Sequence, residues 1–182
     1  MAKEEPKRIV FGETASDAWE HDVWLMARRM ALLYHYLAGA IVERLGPEEG
    51  SRLVEDAVWQ YGEHCGRAVR DGVLAQGLPL TADNFRIVPD LPSRGWRAQT
   101  VDLPDGTKQH QNVLCPLART WRDAGTDPAL ARLYCFVDQS KIKGYNDEQL
   151  ECVHLHNVLD GDGFCEIVTR PKQPGARKSD KD

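Results

Sequence analysis

From residue 19 to residue 73 the chain places apolar side chains at steps of three and four, and this constrains the fold more than any other feature. Trp19, Val23, Met26, Met30, Leu33, Leu37 and Ile41 make a stripe along one long helix, with Ser16 or Asp17 as its cap and Glu20 three residues after Asp17. The run LGPEEG stops it: Gly46 suits a helix end and Pro47 a new first turn. A second stripe follows through Leu53, Ala57, Val58, Tyr61, Cys65, Ala68, Val69 and Val73, and Gly77 and Pro79 close it. Residues 16–78 are therefore expected as an αα-hairpin with these stripes in its core. The same faces offer a surface for a homodimer.

After residue 80 the pattern changes. NFRIV reads as a short strand. GWRAQTV and TKQHQNV flank DLPDGT, a Pro-Asp-Gly turn between extended runs, and so read as a hairpin. Helical spacing returns after Cys115 and again after Asp127-Pro128, where Asp127 is a cap and the helix is expected to run to about Gly144. LECVHLHNVL and FCEIVTR flank DGDG as a second hairpin. The expected class is α+β: an N-terminal helical hairpin packed on a mostly antiparallel sheet built from hairpins, with two further helices. Residues 1–15 read as an arm, 16–170 as one domain whose sheet and helices occupy 80–170, and 171–182 as a polar tail.

A net charge of −5, with cations scattered apart from a short basic patch near the C-terminus, argues against nucleic acid as a partner. No apolar run is long enough to cross a membrane, and the N-terminus lacks the apolar centre of a signal peptide, so the expectation is a cytoplasmic protein acting on a small molecule. The five cysteines show no CxxC pair and, in a reducing compartment, are not read as a disulfide framework.

Cys115 precedes Pro116 where an extended run gives way to a helix. Pro116 fits the first helical position, which makes Cys115 the N-cap. There the free N–H groups and the helix dipole favour a thiolate, unless the thiol is simply a buried packing residue. In a strand, His154 and His156 share one face, as metal ligands, as a general base, or as surface residues. Asp138 sits one turn after Cys135 between apolar neighbours, where a carboxylate needs a partner; Lys141 and Arg132 are the cations within reach. Asp162 lies at a hairpin end, in a DGDGFC run that lacks the glutamate of a calcium loop. Trp96 and Trp121 flank the Cys115 region and are candidates to wall a pocket.

Taken together, NVLCPLARTW, LYCFVDQSKIKGYND and LDGDGFCEI resemble the L-2-amino-thiazoline-4-carboxylic acid hydrolase family. The correspondence runs through Cys115-Pro116, Tyr134-Cys135 with Asp138, Asn146, and Gly161-Asp162 with Cys165. The family's usual Asn-Pro is here Asn146-Asp147. The resemblance implies a hydrolase opening a small cyclic amidine that bears a carboxylate, a C–N bond hydrolysis giving a carbamoyl amino acid. Cys115 would be the nucleophile, His154 or His156 the base, and Asp138 and Asp162 the orienting or proton-donating groups. Arg97 or Lys141 would hold the substrate carboxylate, with Tyr134, Asn146 and Trp96 lining the site. No cofactor is predicted. The alternatives are a small-ligand or metal-binding module, with zinc or iron held by Cys115, Cys135, Cys165 and a histidine, and an enzyme of the same scaffold acting on another small carboxylate.

Overall fold

In the computed structural model LGPEEG reverses the chain between two long helices, α1 (Ala15–Leu45) and α2 (Pro47–Ala75). The structure describes residues 15–92 and 95–172, with side chains from residue 20 onward. The predicted arm and the tail beyond Lys172 lie outside the described residues. Gly46 takes a φ of 86°, a conformation that a side chain would strain, and Pro47 stands in the first turn of α2.

A 3-10 turn at Asn84–Arg86 leads to β1 (Arg97–Asp102) and β2 (Lys108–Leu114). Then come α3 (Pro116–Asp123), α4 (Pro128–Tyr134), α5 (Phe136–Asn146), β3 (Leu150–His156) and β4 (Glu166–Pro171). Both hairpins form as antiparallel pairs, so the α+β class and the helical hairpin hold. The details differ in three ways. The strands make two separate two-stranded sheets, joined by a bridge between Asn112 and Cys165. The expected strand NFRIV is the 3-10 turn: it has no strand partner, and Asn84 instead donates to the Pro79 carbonyl at 2.8 Å. The helix expected from Asp127 to Gly144 breaks at Cys135, the C-cap of α4 and the N-cap of α5.

The core lies only in part where the apolar stripes placed it: Val58, Val69 and Val73 of α2 are buried as expected, but much of the α1 stripe is not. The residues of α1 that are buried are the small ones, Ala27, Ala31 and Ala38, whereas Met26, Leu33 and Leu37 are 68%, 61% and 56% exposed. On α2 the buried face runs Gly50, Val54, Val58, Gly62, Gly66, Val69 and Val73, and Leu53 and Tyr61 point outward. The glycines explain the choice of face. A Cβ on Gly66 would stand 2.0 Å from the Lys141 carbonyl oxygen, and one on Gly144 would stand 2.3 Å from the Glu63 oxygen. These two backbones touch, and only glycine permits that approach. The contact presses α5 onto α2 and fixes the positions of Asp138 and Lys141.

A second core binds α1 to α3. Trp121 is 1% exposed and donates its indole N–H to the Ala31 carbonyl at 2.9 Å. Tyr34 and Tyr134 pack against it with ring centroids 5.2–5.4 Å apart. This aromatic cluster sets the angle at which α3 starts, and therefore where Cys115 sits.

Candidate functional site

One cavity of about 360 Å³ lies between α2, α3, α5 and the two hairpins. Tyr134, Cys135, Asp138, Lys141, Cys115, His154, Cys165 and Trp96 line it, with Asn157, Asp90, Tyr61, Cys65 and Asn112.

Cys115 is the N-cap of α3, with Pro116 in the first turn, as the sequence predicts. Its thiol is not a resting thiolate. Burial pushes the pKa up, although the N–H groups of Ala118 and Leu117 and the Trp96 indole pull the other way. The same donors would stabilise negative charge once it formed on sulfur. Cys135 is more strongly affected: burial drives it to about 12, with Asn157 opposing and the Asp138 charge adding to the rise.

His154 lines the cavity with a side chain that is 2% exposed. Its Nδ1 lies 3.3 Å from the Asn157 Nδ2. The amide orientation follows from its other end, where Asn157 Oδ1 accepts from the Leu159 N–H at 2.9 Å. Nδ2 therefore donates to Nδ1, and neutral His154 carries its proton on Nε2. That Nε2 is 3.2 Å from Asp138 Oδ2 but off the hydrogen-bond axis, so it is buried without a hydrogen-bond partner. A buried polar atom left in this way is costly unless a ligand completes it.

Asp138 Oδ1 faces Lys141 Nζ at 3.8 Å, and Lys141 bonds Asp90 at 2.8 Å. Lys141 is 10% exposed. Burial works against its charge, but Asp138 and Asp90 more than offset it and hold its pKa above the ordinary lysine value. Asp138 thus stands 3.2 Å from the His154 Nε2 and 3.8 Å from the Lys141 ammonium without a hydrogen bond to either, a carboxylate whose oxygens are open to a proton.

The remaining predicted residues lie elsewhere. β3 carries a bulge, with His154 opposite Ile167 and His156 opposite Glu166, and Leu155 is the extra residue, 52% exposed. The bulge separates the two histidines: His156 points outward to Asp162 at 3.5 Å and Glu166 at 3.9 Å. Asp162 anchors the loop rather than lining the cavity. It accepts the Asn157 backbone N–H at 2.7 Å, which lowers its pKa. Asn146 ties the end of α5 to the Leu80 carbonyl at 2.7 Å. Arg97 is 70% exposed and pairs with Glu20 at 3.6 Å. Cys115, Cys135 and Cys165 share the cavity. Among the described residues, however, no group of three or more His, Cys, Asp or Glu side chains is arranged to hold a metal ion.

Asn157 and Asp90 are the residues that sequence reasoning missed. Asn157 follows a strand and precedes the DGDG turn, a placement typical of a side chain that organises a loop. Asp90, in VPDLP, carries no local signal. Among the described residues no helix is long and apolar enough to cross a membrane.

No curated protein matches the chain. Among solved structures, the crystal structure of a trafficking protein particle complex subunit 3 from Naegleria fowleri covalently bound to palmitic acid is similar, at 15% identity and a TM-score of 0.45. The similarity covers 82% of this chain and 96% of that one. The family model described as L-2-amino-thiazoline-4-carboxylic acid hydrolase matches residues 26–168, from the fourth turn of α1 to β4, a span that includes every residue lining the cavity. On that match the chain belongs to the L-2-amino-thiazoline-4-carboxylic acid hydrolase family.

Proposed function

We propose that the cavity opens a small cyclic amidine carboxylate, with Cys115 as nucleophile and Asp138 as the proton carrier. The observation that carries this reading is the His154–Asp138–Lys141 array, a carboxylate between two donors in an enclosed site beside a helix-capping thiol. It assigns the base to Asp138 instead of histidine, because the Asn157 contact leaves His154 with a proton on the nitrogen that faces the cavity.

Cys115 is protonated at rest, so attack requires a base. The thiol proton passes to Asp138, directly or through one water, as sulfur adds to the ring carbon between the heteroatoms. The N–H groups of Leu117 and Ala118 offset the charge on the attacking sulfur. In a 2-amino-thiazoline the tetrahedral carbon then expels the ring sulfur, which takes the proton from Asp138. An isothiourea remains on Cys115, and water converts it to a carbamoyl amino acid and the free enzyme thiol. Both nitrogens stay on that carbon, so the bond that breaks is carbon–sulfur. Breaking the exocyclic C–N bond would instead release ammonia, and breaking the ring C–N bond would leave an S-carbamoyl product with a free α-amine and no free thiol. The substrate's amidine is directed toward Asp138 and its carboxylate toward Lys141, whose ammonium lines the cavity where the Arg97 guanidinium does not.

The test is turnover of 2-amino-thiazoline-4-carboxylate, followed by thiol release and ammonia release in parallel. Wild type is expected to release thiol, with Cys115→Ala and Asp138→Asn inactive and unchanged in far-UV circular dichroism. Full activity in Cys115→Ala would rule out the nucleophile, and ammonia in place of thiol would rule out ring opening.

A further inference from the structure

The cavity is larger than the small ring it is proposed to bind. A 2-amino-thiazoline-4-carboxylate, with nine non-hydrogen atoms, fills roughly 170 Å³ at the packing density of a protein interior, so about half of the 360 Å³ is left over. Much of the wall is apolar. Met30, Leu91, Trp96 and Ile167 reach the cavity from four segments of the chain, and none of them is fully buried. Leu91 is 47% exposed, whereas Leu117 and Trp121, which also line the cavity, are closed off at 7% and 1%. Water beside such surface finds few polar partners, and an apolar ligand group that covers it is favoured.

The place of that group on the ring rests on the ring-opening reading above, with the amidine nitrogens toward Asp138 and the carboxylate toward Lys141. The ring sulfur and the ring methylene then form the edge that turns away from Asp138. Trp96 and Leu91 flank this edge. The Trp96 indole donates to Cys115, which attacks the carbon next to the ring sulfur. Leu91 follows Asp90, which bonds Lys141 at 2.8 Å, and the methylene adjoins the carbon that bears the carboxylate. We infer that the substrate carries an apolar substituent about the size of a phenyl ring on this methylene, seated against Leu91, Trp96 and Met30. A phenyl group has a volume that the leftover space accepts, and the charged head keeps its contacts with Asp138 and Lys141.

The test compares 5-phenyl-2-amino-thiazoline-4-carboxylate with the unsubstituted compound, both in kcat/KM and in affinity measured by calorimetry. Wild type is expected to favour the phenyl compound about ten- to a hundredfold in both. Leu91→Asp, at an exposed site that tolerates a polar residue, is expected to cut this ratio at least about threefold. Met30→Trp fills the same space and brings the ratio to about one or below. Equal or faster turnover of the unsubstituted compound by wild type overturns the inference and leaves ring opening standing. A phenyl preference that neither substitution changes also overturns it. If neither compound is turned over, it is ring opening that fails, and the calorimetry decides the inference: tighter binding of the phenyl compound that weakens in Leu91→Asp supports it, and equal affinities or no binding overturn it.

Discussion

Gly66→Ala tests whether α2 and α5 are in backbone contact. The added Cβ would sit 2.0 Å from the Lys141 carbonyl oxygen, 2.8 Å from its carbon and 3.0 Å from its Cα, all of them backbone atoms that no rotamer change can move. Ordinary contact begins at 3.4 Å, so the helices must part by the difference between 3.4 and 2.0 Å, about 1.4 Å. They cannot part at one point alone, because Gly62 against Ser140 and Gly144 against Glu63 are tight in the same seam. Overpacking of this kind costs about 1–3 kcal/mol, and against backbone the upper end applies. Replacing glycine by alanine inside a helix returns up to ~1 kcal/mol. The expected net loss is about 2 kcal/mol, read as a lower urea midpoint at unchanged slope. Gly39→Ala is the control: nothing lies within 4 Å of its added Cβ, so it is expected to stabilise by about 0.5–1 kcal/mol. If Gly66→Ala gained stability as Gly39→Ala does, the seam described here would not exist, and neither would its placement of Lys141.

Two further predictions concern thiols shielded by the fold and the Asn157 amide. Cys135 and Cys152 ionise near 9 when unfolded but hold their protons to about 12 in the fold, chiefly through burial. Their contribution is fully present below pH 9 and is lost as pH rises toward 12; near pH 11 it falls by about 2–3 kcal/mol per thiol. Urea titrations in an alkaline series are expected to show that decline, reduced when either thiol is changed to serine, and a flat profile would contradict it. Asn157→Ala, at a residue 2% exposed, removes the donor to His154 and the acceptor for Leu159, with an expected loss of about 1–3 kcal/mol. It should also perturb the His154 imidazole resonances in NMR spectra, and unchanged resonances would refute the tautomer assignment.

What the sequence made legible was punctuation and type. Gly46-Pro47, the Asp-Gly turns and Asp127-Pro128 marked where elements start and stop, and each has a backbone reason to do so. Asp127, for example, accepts the N–H of Ala129 at 2.8 Å. Which face of a helix would be buried was not legible. Helix α1 is apolar around much of its circumference, and the choice of alanines over leucines depends on how closely α3 approaches. The break at Cys135 carries no glycine or proline, so its signal is tertiary. Cys115, Asp138, Lys141 and His154 were recognised as chemical groups and do share one cavity. The separation of His156 from His154 comes from a bulge that alternation alone cannot show, and Asp90 and Asn157 enter the site only through folding.

Intact-protein and peptide mass spectrometry of wild type, quenched by acid during turnover of 2-amino-thiazoline-4-carboxylate, tests the central claim most directly. The ring-opened substrate on sulfur adds the mass of one whole substrate, and the account predicts that adduct on the peptide bearing Cys115 and none in Cys115→Ala. Steady turnover without any adduct, continuing in Cys115→Ala, would contradict it.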